Sequence, residues 1–311
     1  MITIGVQTHN IIDDKNPLEG FELLKKCGFN AVDFSLNYYL KNTSLYKLEK
    51  NEFFDKSLEE LKQYFTPHKD AAKKTGIKIH QMHMPYPLFV SHADKNFNDY
   101  LMNIVAVKSL EICAFFECKY IVIHGFKLNR YLGSRQAEWD KTEEFLHKIA
   151  PIAKDLGIVI CLENLYDFNG DILEGICCNA QFISKQIDKL NEEYNAEVFG
   201  FCFDIGHANL MGLDFYDFIT VLKHRLKVLH IHDNDGVSDL HQLPFTFTRN
   251  RENQSTTDWN GFIKALKDIK FDGVLNFETA PVLTSFPEQL KPQVLKLIAD
   301  IGRYFIVEIE K

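Results

Sequence analysis

Several features common in membrane, secreted and nucleotide-binding proteins are missing from this 311-residue sequence. No apolar run approaches the ~20 residues that a membrane-spanning helix needs, so we expect no membrane span. The opening stretch, MITIGVQTHN, lacks a basic region followed by a long apolar run, which argues against a signal peptide. The seven cysteines are scattered and have no zinc-finger spacing, which favours a reducing cytoplasmic location over a disulfide framework.

The sequence also has no basic excess. It carries 35 Lys and Arg against 43 Asp and Glu, for a formal net charge of −8, so it shows no global basic footprint for nucleic acid. A local basic groove can coexist with an acidic total.

A Gly-rich phosphate-binding turn is missing after the first predicted strand, since Gly5-Val6-Gln7-Thr8 is not one. That absence disfavours a doubly wound open sheet.

What the sequence does contain is an eightfold alternation of short apolar strands and helix-like stretches. The hydrophobic content of 46% is enough for a large core, and the helical stretches have apolar residues at helical spacing. The predicted strands are 2–7, 31–36, 77–83, 120–124, 158–165, 198–204, 226–232 and 273–277. The predicted helices are 17–27, 54–74, 97–118, 137–156, 180–193, 215–225, 258–269 and 287–305.

Eight strand–helix units in one chain predict an α/β fold, specifically a (β/α)8 TIM barrel. No Pro/Gly/Ser linker and no low-complexity segment interrupts the chain, so we expect a single domain over residues 1–311. Gly28, Gly76 and Gly157 mark helix ends, and Asp258 is a candidate helix N-cap.

Residues that bind metals or move protons follow the predicted strands. A barrel builds its active site from the carboxyl ends of its strands. The strand-end candidates are His83, His124, Glu163, Asp204, His207, His230, His232 and Glu278, with Asp239 and His241 in the loop after strand seven. Four separate strands that end in Glu, Asp, His and Glu predict a divalent cation, whose charge offsets the cost of clustering carboxylates.

Each candidate also has a plain structural interpretation. Asp204 can be a helix N-cap, and His207 can be a hydrogen-bonded core histidine. The alternation of side chains directs Glu163 and His230 into the barrel. His80 has the opposite parity to His83, so we expect it to face the helices as a hydrogen-bonded core histidine. Four other histidines are expected to be surface residues: His68, His92, His147 and His224.

Seven short motifs carry a family resemblance. They are His83-Met84-Pro85-Tyr86, Val122-Ile123-His124-Gly125, Leu162-Glu163-Asn164, Asp204-Ile205-Gly206-His207, His230-Ile231-His232-Asp233, Asp239-Leu240-His241 and Phe277-Glu278-Thr279. Over nearly the whole chain, the sequence resembles the xylose-isomerase-like barrel superfamily, which contains sugar isomerases, sugar epimerases and endonuclease IV. The resemblance to the epimerase branch implies one divalent metal held by Glu163, Asp204, His230 and Glu278, with His207 contacting the substrate.

The resemblance to the endonuclease branch implies three zinc ions and nine ligands. The nine matching positions are His83, His124, Glu163, Asp204, His207, His230, Asp239, His241 and Glu278. The sequence departs from that branch at Gly206, where the endonuclease pattern has Cys. It departs again at residues 232–236, where the endonuclease pattern has an Asn-Asp-Ser run. The residues at these positions, His-Asp-Asn-Asp-Gly, are similar to those of proteins described as sugar phosphate isomerases or epimerases.

The resemblance leaves two enzymatic hypotheses. In the first, a divalent metal (Mn, Zn, Mg or Co) polarises the carbonyl of a sugar, keto-sugar or sugar phosphate and stabilises an enediolate. Glu163 and Glu278 then act as general base and acid, and His207 holds a substrate oxygen. In the alternative, up to three zinc ions activate a hydroxide that cuts abasic DNA.

The two hypotheses make different demands on the surroundings of the site. The DNA hypothesis needs basic residues around the mouth to contact phosphates. The candidates are Lys41, Lys47, Lys50, Lys127, Arg130, Arg135, Arg249 and Arg251.

A barrel that binds a ligand without catalysis is a third interpretation, which the retained acid–base carboxylates disfavour. The sequence leaves the oligomeric state open between a monomer and a homo-oligomer, and dimers and tetramers are common in the superfamily.

Overall fold

The strands form one parallel barrel. The computed structural model describes residues 1–128, 134–168, 170–249 and 254–311. The barrel strands are β1 (Thr3–Gln7), β2 (Ala31–Ser35), β3 (Lys78–His83), β4 (Tyr120–Ile123), β5 (Val159–Glu163), β6 (Phe199–Asp204), β7 (Leu226–His230) and β8 (Val274–Phe277). They pair in the order β8-β1-β2-β3-β4-β5-β6-β7. A bridge between Ile231 and Phe277 brings β7 next to β8, which confirms the predicted TIM barrel.

A helix follows each barrel strand. The main helices are α1 (Pro17–Cys27), α2 (Leu58–Thr75), α3 (Ala106–Phe115), α4 (Arg135–Leu156), α5 (Ala180–Glu193), α6 (Phe215–Leu222), α7 (Trp259–Asp268) and α8 (Lys291–Glu310). Shorter helical segments are Leu36–Tyr38, Asn42–Leu45, Phe53–Asp55, Lys95–Tyr100, Leu101–Val105, Ile205–Leu210, Lys223–Arg225, Ala280–Ser285 and Glu288–Leu290. Two antiparallel strand pairs lie outside the barrel: Tyr166–Phe168 with Ile172–Glu174, and Thr248–Arg249 with Gln254–Ser255.

Local sequence signals fix where several helices begin and end. Asp258 caps α7 as predicted, because its Oδ1 accepts a hydrogen bond from the Gly261 N–H at 2.9 Å. Gly76 ends α2 with a left-handed φ of 69°, a conformation that glycine adopts without a steric cost. The prediction that this helix begins at residue 54 was wrong. Ser57 and Glu60 form a reciprocal capping box, so the helix begins at Leu58.

Two other predicted helices differ from the observed segments. The predicted helix 97–118 begins earlier, because Asp94 caps the first turn of Lys95–Tyr100 through the Phe97 N–H, and it ends at Phe115. A left-handed residue at Glu117 then turns the chain into β4. The predicted helix 287–305 begins at Lys291 and continues to Glu310.

The barrel has an apolar interior below its polar mouth. A small cluster of Val122, Val159, Cys161, Cys202 and Val228 is separate from the large core between strands and helices. Val159 and Cys161 have the same strand parity as Glu163, so this cluster lies on the inward face. No helix in the described part of the chain combines the length and apolar character that crossing a bilayer requires.

Candidate metal and acid–base site

Glu163 is at the centre of a ring of polar side chains at the carboxyl ends of the strands. It is the last residue of β5, and its side chain is 1% exposed. Its Oε2 lies 3.5 Å from His83 Nε2 and 3.2 Å from His124 Nε2. Its Oε1 lies 3.4 Å from His230 Nδ1 and 3.3 Å from His207 Nδ1. One carboxylate therefore contacts four of the histidines singled out from the sequence.

Four strand-end residues converge on one point, and we call Glu163, Asp204, His230 and Glu278 the central group. His230 Nδ1 lies 3.4 Å from Glu163 Oε1, 3.7 Å from Asp204 Oδ2 and 3.5 Å from Glu278 Oε2. Three carboxylate oxygens thus surround one imidazole nitrogen. This oxygen and nitrogen donor set is suited to a divalent cation.

Two further groups flank the central group. The histidine side consists of His83 and His124, which approach Glu163 Oε2 and whose rings lie 4.9 Å apart. The carboxylate side consists of His207, Asp239 and His241. Asp239 Oδ2 lies 3.5 Å from His207 Nε2 and 3.2 Å from His241 Nε2. All nine residues that the sequence suggested as ligands therefore lie in three adjoining groups.

Asp204 has two roles, because the strand-end and helix-cap interpretations of this residue both apply. Its Oδ1 accepts a hydrogen bond from the His207 N–H at 2.6 Å and so caps the helix Ile205–Leu210. Its Oδ2 faces His230 Nδ1 and His232 Nε2, the latter at 3.1 Å. The Asn164 side chain also bonds the Asp204 backbone N–H and carbonyl, both at 2.8 Å, which ties the end of β5 to the end of β6.

Backbone carbonyls orient three of the mouth histidines. His83 Nδ1 lies 2.7 Å from Met84 O, His207 Nδ1 lies 3.0 Å from Asn164 O, and His241 Nδ1 lies 3.0 Å from Glu278 O. A carbonyl only accepts hydrogen bonds, so each Nδ1 carries the proton in the neutral ring. The Nε2 lone pair of each ring is then directed to the carboxylates of the site.

His232 lies in the site although sequence reasoning left it out of the ligand set. Its Nε2 lies 3.1 Å from each Asp204 oxygen, and its ring stacks on His241 with centroids 3.9 Å apart. The ring occupies the space that a side chain on Gly206 would fill, because a Cβ there would lie 1.9 Å from His232 Cε1. The glycine at 206 and the histidine at 232 are the two departures from the endonuclease pattern. They belong together, because the His232 ring needs the space that Gly206 leaves.

Asp33 is a second residue that sequence reasoning missed. It lies on β2 and is 2% exposed. Its Oδ2 lies 3.1 Å from His230 Nε2, on the ring nitrogen that faces away from the central group. The only signal in the sequence is an acidic residue inside an apolar strand, since a buried carboxylate needs a partner.

Two predictions about the other histidines were wrong. His68 was expected at the surface, but it is 1% exposed and its Nε2 lies 2.9 Å from Asp14 Oδ1. His80 was expected to be a hydrogen-bonded residue facing the helices. A register shift between β2 and β3 occurs at this position, and the His80 ring contacts Tyr120. Neither His80 ring nitrogen has a hydrogen-bond partner among the described residues.

Comparison with known proteins agrees with this architecture. Residues 21–298 match the family described as xylose isomerase-like TIM barrel. The chain belongs to the xylose isomerase-like TIM barrel family. An uncharacterized protein of Methanocaldococcus jannaschii is 29% identical over 175 residues, which are 55% of this chain and 53% of that protein. The chain thus spans about half the length of that curated relative.

Solved structures of xylose isomerase-like barrels have the same fold. A D-psicose 3-epimerase from Clostridium cellulolyticum matches with a TM-score of 0.66 at 15% identity, covering 97% of this chain and 99% of that one. A 3-keto-D-glucoside 4-epimerase from E. coli matches with a TM-score of 0.64 at 17% identity, covering 96% and 99%. At these identities the likeness shows the fold alone.

In this xylose isomerase-like barrel, histidines supply the counter-charge for the clustered carboxylates. Burial alone raises the pKa of Glu163, but the charge of His230 holds that pKa well below its usual range. Burial also raises the pKa of Asp204, and the charges of His207 and His232 again lower it. Glu163 and Asp204 are therefore ionised at neutral pH, as metal ligands must be.

The two flanking groups have different electrostatics. Burial lowers the pKa of His124 to about 4, in spite of the nearby Glu163 charge. Burial also acts to lower the pKa of His241, but the hydrogen bond that its ring donates to Asp239 and the charge of Glu278 raise it to about 9. Two buried carboxylate oxygens, Glu163 Oε2 and Asp239 Oδ1, accept no hydrogen bond among the described residues. These orphan oxygens fit a site that takes a cation.

A cavity of about 540 Å³ opens above the ring. It is lined by the flanking groups, by Glu163 and Glu278, and by several aromatic side chains: Tyr46, Tyr86, Phe89, Phe126 and Tyr166. The Tyr86 ring lies 4.2 Å from the His124 ring, and the Tyr166 ring lies 5.2 Å from the His207 ring. Aromatic walls beside a polar floor are suited to a small polar molecule with apolar faces.

Few of the basic candidates for phosphate contacts lie at this cavity. Lys127 lines it, and its Nζ donates to the Tyr166 carbonyl at 2.7 Å. Lys50 and Arg135 pair with acidic residues instead, namely Asp55 and Glu174. Arg130 and Arg251 lie outside the described residues, as does the side chain of Arg249.

Proposed function

We propose that the protein is a divalent-metal-dependent sugar epimerase or isomerase. The observation that carries this proposal is the central group, in which three carboxylates and His230 Nδ1 face one another at the barrel mouth. The named activities of the matched barrels, a 3-epimerase and a 4-epimerase, suggest keto-sugars and keto-glycosides as the substrate class. The cavity above the group has room for such a molecule.

The central group would hold the ion through Glu163, Asp204, His230 and Glu278. When bound, a divalent ion supplies positive charge that polarises a substrate carbonyl and offsets the negative charge that develops on it. His207 Nε2 lies 3.5 Å from Asp239 Oδ2, and both residues line the cavity, so His207 can also donate to a substrate oxygen when protonated. The aromatic lining keeps the bound sugar away from bulk water.

Proton transfer falls to the two glutamates. Glu163 is buried and ionised, so it is suited to take a proton from a carbon next to the carbonyl. Glu278 directly follows β8, and its side chain, which is 28% exposed, approaches His230 from there. Two carboxyls in different environments can hold different protonation states, as epimerisation through removal and return of a proton requires.

Solvent exchange tests this proposal. The protein, loaded with Mn²⁺ or Co²⁺, is incubated with keto-sugars, their phosphates and keto-glycosides in D₂O, and deuterium is followed by NMR. We expect deuterium at the carbon next to the carbonyl, and loss of that signal in Glu163→Gln and in Glu278→Gln. Glu174→Gln, at the surface pair with Arg135, is the matched control. Product formed without solvent deuterium, or full exchange in both variants, would contradict the proposal.

A second candidate function has one specific observation in its favour. The nine residues that match the endonuclease branch lie together in the central group and the two flanking groups. Nine is the number of ligands that the resemblance to that branch implies for three zinc ions. The side chains of Lys50 and Arg135, which pair with acids, argue against a basic DNA-binding rim. Cleavage of abasic DNA by zinc-loaded protein, abolished by Asp239→Asn, would favour this candidate over the first.

A further inference from the structure

The contact between Asp33 and His230 bears on how the central group is held. We propose that Asp33 is a positioning residue, which fixes His230 with its Nδ1 lone pair directed at the ion site. This inference rests on the proposed function, because it takes the central group as the place where the ion binds. Asp33 belongs to β2, a strand that contributes no side chain to the central group.

The Asp33 carboxylate is held from two directions inside the barrel. Its Oδ2 lies 3.1 Å from His230 Nε2 and accepts a hydrogen bond from Gln81 Nε2 at 3.0 Å. Gln81 Nε2 also lies 3.5 Å from the carbonyl of Leu229, the residue that precedes His230. All of these side chains are buried, so solvent does not compete for their hydrogen bonds.

This contact decides which nitrogen of His230 is free to bind. A carboxylate only accepts hydrogen bonds, so the nitrogen that faces Asp33 must carry the proton. In the neutral ring the lone pair then lies on Nδ1, which is the nitrogen that faces Glu163, Asp204 and Glu278. Without Asp33, either tautomer is open to the ring.

His230 differs in this respect from three other histidines of the mouth. His83, His207 and His241 are oriented by backbone carbonyls through Nδ1 and present Nε2. His230 has the reverse arrangement, and its partner is a charged side chain. A carboxylate behind a metal-binding imidazole also makes the ring a stronger ligand, and loss of such a partner commonly costs 10- to 100-fold in metal affinity.

Titration with Co²⁺ alone tests the inference without a substrate. Metal-free wild type, Asp33→Asn and Asp33→Ala are titrated, and the visible absorption of Co²⁺ reports binding at the tightest site. We expect about 10-fold weaker binding in Asp33→Asn, which keeps an acceptor but loses the charge. We expect about 100-fold weaker binding in Asp33→Ala, which loses both. The pH at which half of the Co²⁺ is released should rise in the same order.

Asp14 provides a matched control. It is a second aspartate that contacts a buried histidine, through His68 Nε2 at 2.9 Å, but it lies outside the ion site. Asp14→Asn should leave the Co²⁺ affinity unchanged, and thermal melts of all metal-free variants should separate stability from binding. Wild-type affinity in folded Asp33→Asn and Asp33→Ala would overturn the inference. Failure of the wild type itself to bind Co²⁺ would instead overturn the proposed function.

Discussion

The two sides of Glu163 are built from different chemistry. The histidine side presents His83 and His124 to a single carboxylate oxygen, whereas the carboxylate side surrounds Asp239 with two histidines. The pKa of His124 is lowered to about 4, while that of His241 is raised to about 9. A cation on the histidine side therefore depends on Glu163 for its counter-charge, whereas one on the carboxylate side has a carboxylate of its own.

Glu163→Gln should have the largest effect, because Glu163 serves the central group and the histidine side together. Glutamine keeps the size of the side chain, so the barrel should stay folded while the negative charge and the general base are lost. We expect turnover of any true substrate to fall by roughly 10²–10⁴-fold, with a lower metal content per chain. Kinetics and elemental analysis measure both. Unchanged turnover would remove Glu163 from the mechanism.

Asp239→Asn should have a smaller effect, because it removes only the carboxylate of the carboxylate side. In an enzyme with one ion in the central group, we expect that ion to remain and turnover to fall by about 10-fold, through His207 and His241. The same measurements of bound metal and turnover on His124→Ala, a variant of the histidine side, allow the two flanking groups to be compared. Complete loss of metal and turnover in Asp239→Asn would mean that the carboxylate side is itself essential, as in a three-ion site.

Gly206→Ala should disturb the carboxylate side through packing. The new Cβ would lie 1.9 Å from His232 Cε1, so the ring must move away from Asp204 and His241. We expect a loss of about 1–3 kcal/mol in the free energy of unfolding of metal-free protein. In Gly206→Ala combined with His232→Ala the two losses should not add, because the clash is gone. Additive losses would contradict this packing.

Asp14→Asn should have the smallest effect and none on metal binding. Burial alone raises the pKa of Asp14, but the hydrogen bonds from His68, Tyr39 and Tyr64 hold it below the usual value. A lowered carboxyl pKa stabilises the fold above about pH 4, and that contribution is lost as the pH falls through the folded-state pKa. Unfolding curves should show a deficit of about 1 kcal/mol at pH 7 that shrinks below pH 4. A pH-independent deficit would contradict this.

The fold and the ring of candidate residues were accessible from the sequence for the same reason. Each barrel strand is a buried apolar run, and parallel strands end at one face. His124, Glu163, Asp204 and Glu278 each come at or directly after a strand end, so their convergence follows from topology. Helix limits were accessible where capping chemistry is local, as at Asp258.

The remaining features depend on contacts that the sequence does not display. Asp33 and His230 are 197 positions apart, and nothing near either residue indicates the other. The fit of His232 against Gly206 joins two loops in the same way. His68 has the spacing of a helix residue, but the partner that its buried ring contacts, Asp14, is 54 positions away. Local sequence patterns therefore could not predict which polar side chains pair with each other over long distances in the sequence.

The metal content per chain shows directly whether the central group binds one divalent ion. Chelator-treated wild type and Glu278→Gln are reloaded with Mn²⁺, Co²⁺ or Zn²⁺, freed of excess ion and measured by elemental analysis. We expect about one ion per wild-type chain and a clear loss in Glu278→Gln, since Glu278 belongs to the central group. No bound ion in the reloaded wild type would contradict it. Three zinc ions per chain together with cleavage of abasic DNA would replace it with the phosphodiesterase.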